Sequence, residues 1–113
     1  MKMKVAVSYD HGAIFAHVGD TKEFKVYEIQ DGKVIAEEIL ATEGRGRQMV
    51  VDFLTKHECK VLICNEICGG AKGAVQEAGA EVFGAVTGNA DEAVQEYLNH
   101  TLKDGETVVC HHD

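Results

Sequence analysis

The second half of the chain alternates short apolar runs with amphipathic segments, and this order restricts the fold more than any other feature of the sequence. The run KVLIC (60–64) has the continuous apolar character of a strand that is covered on both faces of a sheet, and EVFGAV (81–86) is predicted to be another strand. Segments with helical spacing follow them, at 71–79 and 90–102. Strands that are separated by helices pair in parallel, so the sequence predicts an α/β fold with parallel strands at its centre.

The first half supplies three further predicted strands and one helix. One strand covers residues 3–8, and two more, 24–30 and 33–40, flank an Asp-Gly dipeptide at positions 31–32. Asp-Gly between strand-like runs is a strong hairpin signal, because a type I′ turn needs positive φ at both central residues. The segment after this hairpin carries apolar residues at helical spacing and is predicted to be a helix.

Together these elements predict a three-layer α/β/α domain with a five-stranded mixed sheet. The simplest arrangement has the strand order 3-2-1-4-5, in which strand 2 is antiparallel. In open α/β sheets, ligands bind in the crevice beyond the carboxyl ends of strands that lead to opposite sides of the sheet. That crevice is expected between strands 1 and 4, whose ends are residues 8–12 and 64–70. We expect a single domain over residues 1–103 and a flexible Cys/His-containing tail over residues 104–113.

Charge and composition narrow the classes of partner. The chain has 19 acidic and 11 basic residues, a formal net charge of -8, which argues against binding of nucleic acid or an anionic membrane. No apolar run approaches the roughly 20 residues of a membrane-spanning helix, and the first residues lack the apolar region of a signal peptide. We therefore expect a cytoplasmic protein, in which free thiols, metal ligation or redox chemistry are favoured over structural disulfides.

The segment CNEICGGAKG places thiols and glycines at the mouth of the predicted crevice. Gly69 and Gly70 let the backbone approach a ligand closely, and the N-terminus of the following helix favours an anion. Without a ligand, the same glycines only permit a tight turn between strand and helix. Cys64 ends a buried run and is expected to be a core thiol. Cys68 is either a thiolate ligand for a soft metal or a passive turn residue.

Residues outside this segment are further candidates. His17, in the loop after strand 1, borders the crevice, although a lone histidine is usually a surface residue. Asp10 is a candidate carboxylate at a strand end, and its commoner role is to bond its own backbone in a turn. The tail residues Cys110, His111 and His112 combine soft and borderline metal ligands. Adjacent ligands cannot surround a metal alone, and the alternative for this tail is a disordered terminus.

Two long stretches of the chain resemble a known family. VSYDHGAIFAHVGDTKEFKVYEI, together with LICNEICGGAKGAVQEAGAEVFGAVTGNADEAVQEYL, is similar to the dinitrogenase iron–molybdenum cofactor biosynthesis family, the NifX-like domain also found at the end of NifB-type proteins. The resemblance covers nearly all of residues 3–102 and implies a ribonuclease-H-like α/β domain. It also implies a carrier of an iron–sulfur or molybdenum-containing cluster, or of its precursor, rather than an enzyme.

The resemblance implies site residues as well. The family motif after strand 1 falls on Asp10, Gly12 and His17, and the histidine of that motif is implicated in cluster binding. The glycine-rich turn after strand 4 maps onto residues 64–70, where Cys68 stands in the place of a glycine in many members. A Cys/His-rich tail is seen in some members, which supports a ligand role for the tail of this chain.

These observations lead to one expected function and two alternatives. We expect a non-catalytic carrier of an anionic metal–sulfur cluster, a monomer or weak dimer that works with a cluster-assembly or acceptor protein. The first alternative is a cofactor-free regulatory or interaction module. The second is a Mg²⁺-dependent hydrolase that uses Asp10, a chemistry that requires several converging carboxylates.

Overall fold

The computed structural model describes residues 2–105, and its centre is one mixed β-sheet. Its strands are β1 (Lys2–Asp10), β2 (Ala13–Ile14), β3 (Glu23–Gln30), β4 (Lys33–Ala41), β5 (Val61–Ile63) and β6 (Glu81–Phe83). The helices are α1 (Arg47–Lys56), α2 (Gly69–Glu77) and α3 (Ala90–Leu98), with a short 3₁₀ helix over Val18–Asp20. The α/β class that the alternation predicts is confirmed.

The strand order across the sheet is β4-β3-β1-β5-β6, and β2 pairs with β1. β3 is antiparallel to β1 and β4, whereas β5 is parallel to β1 and β6. The predicted strand order is therefore confirmed, and so is the antiparallel direction of predicted strand 2, which is β3. The ribonuclease-H-like comparison stays a prediction.

The predicted count of five strands is wrong, because the sheet has six strands within residues 2–105. The chain after β1 turns back on itself and pairs Asp10 with Ala13. His11 and Gly12 make this tight turn, with φ of 47° and 90°. The two residues of β2 are too few to show a strand period in the sequence.

The β3–β4 hairpin forms as its Asp-Gly dipeptide predicts, with φ of 52° at Asp31 and 78° at Gly32. The register shifts between Glu28 and Ile29, so that Ile35 is an extra residue on β4 with no partner on β3. Such a bulge bends the strand and increases its local twist.

Helices cover both faces of the sheet and create two apolar cores. Residues of α1 and α2 pack on one face, in a cluster that includes Phe24 and Leu62. The rings of Phe24 and Phe53 lie 4.6 Å apart there. Residues of α3 pack on the other face, in a cluster that includes Tyr27 and Ile63. Within residues 2–105, no helix is long and apolar enough to cross a membrane.

Two helix boundaries differ from the predicted ones. α2 begins earlier, at Gly69, with Cys68 as its N-cap, so the two adjacent glycines are helical residues rather than a preceding turn. α3 ends earlier, at Leu98, because His100 adopts a φ of 62° that a right-handed helix cannot continue.

A polar cluster fastens α3 to β3. Asp91, in the first turn of α3, accepts hydrogen bonds from the Lys25 ammonium at 2.8 Å and from the Tyr27 hydroxyl at 2.5 Å. Lys25 also forms an ion pair with Glu37 of β4 at 3.0 Å. The bonds from Lys25 and then Tyr27 hold the pKa of the Asp91 carboxyl below its ordinary value of 3.8.

We expect Asp91→Asn to lower the free energy of unfolding by about 1 kcal/mol at neutral pH, below the usual range for hydrogen bonds to charged groups because the carboxylate is largely exposed. Since the folded state depresses this pKa, the contribution is present above the unfolded-state pKa and is lost as the pH falls through the folded-state pKa. Urea unfolding at neutral pH and at about pH 3 measures the difference between wild type and variant. A difference that is equally large in acid would contradict this linkage.

Candidate functional site

β1, β4 and β5 all end at the carboxyl end of the sheet. Three loops lie there: the loop after β2, the loop between β4 and α1, and the loop between β5 and α2. The loop between β4 and α1 is bonded to the loop after β2. Thr42 N–H donates to the Lys22 carbonyl at 2.9 Å, and Gly46 N–H donates to the Gly19 carbonyl at 2.8 Å. A Cβ atom on Gly19 would lie 3.6 Å from the Cα of Gly46. These loops are therefore packed together, and the helices that follow β4 and β5 start from this end.

His17, the histidine predicted to bind a cluster, is paired with Glu66 of the loop between β5 and α2. Their backbones form a parallel bridge, with Val18 N–H donating to the Glu66 carbonyl at 3.2 Å and Glu66 N–H donating to the Ala16 carbonyl at 2.8 Å. The His17 Nδ1 atom lies 2.7 Å from Glu66 Oε2, and the side chains are 61% and 40% exposed. A carboxylate at Nδ1 fixes the imidazole and leaves the Nε2 lone pair available, the arrangement in which carboxylates orient metal-binding histidines.

Glu66 is a site residue that the sequence analysis missed. It lies between the two cysteines of the CNEIC segment, which is the one signal that could have drawn attention to it. A single glutamate in a loop matches no motif, and its partner His17 is distant in the sequence. Only the pairing of the two loops reveals its position beside the imidazole.

Cys68 and Gly69 lie at the N-terminus of α2. Cys68 has the extended backbone of an N-cap, with φ of -72° and ψ of 149°. A Cβ atom on Gly69 would meet no heavy atom within 4 Å, and Gly69 does not adopt a positive φ. Neither packing nor backbone geometry therefore requires a glycine there. Gly69 and Gly70 are both exposed, so the first turn of α2 presents its backbone to solvent.

The sulfur chemistry differs among the three cysteines of residues 2–105. Cys59 and Cys64 are buried free thiols. Burial raises the pKa of Cys59 to about 11 and that of Cys64 to about 12, so both stay protonated near neutral pH. Cys64 is 0% exposed, as expected of a core thiol. Cys68 is disulfide-bonded, and it can act as a thiolate only after reduction.

Asp10 is the last residue of β1, and Gly12 lies in the turn between β1 and β2. The Asp10 Oδ1 atom lies 2.7 Å from His11 Nδ1, and both side chains are exposed. The Gly12 carbonyl accepts a hydrogen bond from Ala90 N–H at 3.0 Å, which ties the β1–β2 turn to the start of α3. The structure thus brings His17 to the segment that opens α2, whereas it ties the Asp10–Gly12 turn to α3.

The last described residues also lie near the start of α2. Asp104 accepts a hydrogen bond from Gly84 N–H at 2.8 Å and forms an ion pair with Lys72 of α2. Burial would raise the pKa of the Asp104 carboxyl, but the bonds from Lys72 and Gly84 hold it below its ordinary value. Gly105 N–H donates to the Gly84 carbonyl at 2.9 Å. The part of the predicted tail that the structure describes therefore contacts the domain.

The predicted tail ligands Cys110, His111 and His112 lie outside the described residues, and their role stays a prediction. So does the predicted boundary between domain and tail. Within residues 2–105, no group of three or more His, Cys, Asp or Glu side chains is placed to hold a metal ion.

Comparisons with known proteins agree with this description. The family model described as dinitrogenase iron-molybdenum cofactor matches residues 1–100. The apo form of the orange protein from Desulfovibrio gigas is similar with a TM-score of 0.77 and 23% identity, over 91% of this chain and 92% of that chain. No curated protein matches the chain.

Two further solved structures share the fold. A protein from Methanocaldococcus jannaschii, provisionally described as a dinitrogenase, has a TM-score of 0.75 and 20% identity, over 94% of this chain and 97% of that chain. A Thermotoga protein, provisionally described as a NifB protein, has a TM-score of 0.71 and 19% identity, over 96% and 98% of the two chains. At such identities the similarity shows the fold alone.

Proposed function

The chain belongs to the dinitrogenase iron–molybdenum cofactor family, and from this membership we propose that it carries an anionic metal–sulfur cluster or the precursor of one. The cargo is held at the carboxyl end of the sheet, between the His17 loop and the N-terminus of α2. The observation that carries the proposal is the His17–Glu66 pair, which holds an imidazole beside an exposed, glycine-rich helix start.

The chemistry of this place suits such a cargo. Iron–sulfur and molybdenum–sulfur clusters are anions, and the N–H groups of the first turn of α2 carry the positive end of the helix dipole. His17 supplies a nitrogen ligand or donor, and Cys68, once reduced, supplies a thiolate, which soft metals prefer. Cys110, His111 and His112 of the tail are proposed as further ligands.

The proposal includes the setting in which the protein works. Carrying a cluster requires no catalytic group, so we propose a non-catalytic protein of the cytoplasm, monomeric or weakly dimeric. Its partner is a cluster-assembly or acceptor protein, and the net charge of -8 favours a basic surface on that partner. Neither nucleic acid nor a membrane is a proposed partner.

The two alternatives differ from the carrier in the roles that they give to the candidate residues. The hydrolase depends on Asp10, whose exposed carboxylate is bonded to His11. The cofactor-free module leaves the thiols and His17 without a ligand. No contact of the described residues favours either over the carrier.

Anaerobic reconstitution tests the proposal. The reduced protein is incubated with Fe²⁺ and sulfide, or with tetrathiomolybdate, then desalted and analysed for Fe, Mo and S and by visible absorption. We expect metal and sulfide in whole-number ratios to the protein, with visible charge-transfer bands. The control is the same protein in denaturant, which has the same thiols without the fold. Metal at the level of this control with both cargoes would overturn the proposal and favour the cofactor-free module.

A further inference from the structure

β4 is an edge strand whose outer side is unpaired within the part of the chain that the structure describes. It is nine residues long, and most of these residues are exposed. Its side chains Ile35 and Ile39 are 50% and 48% exposed, and no other large hydrophobic side chain of residues 2–105 is exposed to this degree. A long exposed edge strand with apolar side chains is a template for pairing with another chain.

An acidic groove lies beside this edge. It is a shallow cavity of about 340 Å³, lined by Lys4, Val26, Glu28, Ala36, Glu37 and Glu38. Glu28 forms an ion pair with Lys2 at 3.3 Å, and Glu37 forms one with Lys25 at 3.0 Å. Within residues 2–105, Glu38 has no ion pair, so its charge is available to a cation from outside.

Successive side chains of β4 lie on opposite faces, with Glu38 on one face and Ile39 on the other together with Glu37, which is paired with Lys25. Glu38 lies opposite Val26, whose side chain belongs to the core under α1 and α2. Ile39 lies opposite Lys25 and therefore points to the other face, since successive side chains of a strand alternate. A strand added beside β4 has the same alternation, with one set of side chains near Glu38 and the groove and the other set near Ile39.

We propose that the edge of β4 is the docking site of an extended segment of another protein, in which Lys or Arg alternates with aliphatic residues. Main-chain hydrogen bonds to the unpaired edge provide affinity, and the alternating side chains provide specificity. The basic residues of the segment meet Glu38 and the groove, whereas its aliphatic residues pack beside Ile39. The interaction is separate from the cluster site and does not depend on the proposed cargo.

A second copy of this chain is a poorer occupant. Antiparallel pairing of two β4 strands that places Ile35 opposite Ile39 also places Glu37 opposite Glu37, and like charges in directly opposite positions are destabilising. Each copy also carries a net charge of -8. The glutamates thus oppose self-pairing, as charged residues do on natural edge strands, while a basic strand is attracted.

The test uses a fluorescein-labelled octapeptide of alternating valine and lysine and measures its fluorescence anisotropy with the wild-type protein. Two further peptides are compared: one of the same composition with its valines and lysines in separate blocks, and one with N-methyl groups on alternate residues. We expect the alternating peptide to bind more tightly than both. Glu38→Lys should weaken binding at least about tenfold. Glu77→Lys makes the same charge change on an exposed residue of α2 and should leave binding much closer to wild type.

Backbone amide NMR shifts on peptide addition give a second readout. We expect them to concentrate on β4, and circular dichroism verifies that both variants are folded. Equal affinity for the three peptides, or equal losses in Glu38→Lys and Glu77→Lys, would show charge attraction without strand addition and overturn the proposal. An absence of binding would also overturn the proposal. So would a dimer of the wild-type protein in sedimentation experiments, if Ile39→Asn dissociates it, because that result would assign the edge to a second copy.

Discussion

His17→Ala is expected to remove the cluster from the reconstituted protein and to leave the fold intact. The imidazole is 61% exposed and pairs with Glu66, so its loss opens no cavity in the core. The free energy of unfolding should change by less than about 1 kcal/mol. Loss of a protein ligand should lower the metal retained after desalting at least about tenfold, as large an effect as the loss of a neighbouring orienting group. Elemental analysis and visible absorption measure it.

Three variants make this result specific. His100→Ala is the matched control, because His100 is exposed and follows the C-terminal end of α3, away from the His17 loop. Glu66→Gln keeps an acceptor for His17 Nδ1 and should retain most of the metal, whereas Glu66→Ala should lose much of it. Unchanged metal in His17→Ala, or an equal loss in His100→Ala, would rule out the ligand role of His17.

Loading with cluster is expected to require reduction of the Cys68 disulfide. A disulfide sulfur is not a thiolate, and Cys68 is disulfide-bonded in this structure. The buried thiols of Cys59 and Cys64 do not replace it, because burial raises the pKa of these groups to about 11 and about 12. Protein that is loaded without reductant should therefore retain no more metal than Cys68→Ala. A phosphine reductant should restore loading in the wild type but not in Cys68→Ala. The phosphine is oxidised to the phosphine oxide as it reduces the disulfide.

The controls for this experiment count thiols as well as metal. Alkylation under denaturing conditions, followed by mass spectrometry, measures how many thiols the reductant has released. Cys59→Ala removes a thiol from the start of the β5 segment, at the end of the sheet opposite to Cys68, and should load as the wild type does after reduction. Full loading of protein whose disulfide is shown to be intact would mean that Cys68 is not a ligand.

The strand order was predictable because each of the five predicted strands has a local signal. The turn at Asp31 and Gly32 has the two positive φ angles that its sequence predicts. The side chain of Asn89 caps α3 by accepting a hydrogen bond from Glu92 N–H at 3.0 Å, as the spacing of these two residues indicates. β2 has no such signal, because two residues define no period and only its pairing with β1 makes it a strand.

The residues of the candidate site were likewise predictable only where a local sequence pattern marks them. Cys68 and Gly69 were placed by the junction of a strand with a helix, which is visible in the sequence. The position of Glu66 beside His17 depends on a contact between two distant loops, which no local pattern encodes. Asp10 and Gly12 were expected in the same crevice. The turn that forms β2 is bonded to the start of α3, and the role of these two residues stays a prediction.

The bridge between His17 and Glu66 also bears on the order in which the molecule assembles. The β3–β4 hairpin and α1 lie between these two residues in the chain, so their contact closes a long loop. Closing such a loop has an entropic cost that hairpins and single helices do not share, and long-range contacts form more slowly. The imidazole is therefore held in place only after β5 has joined β1. A nascent chain that has not reached this stage therefore lacks the oriented imidazole on which the proposed cargo site depends.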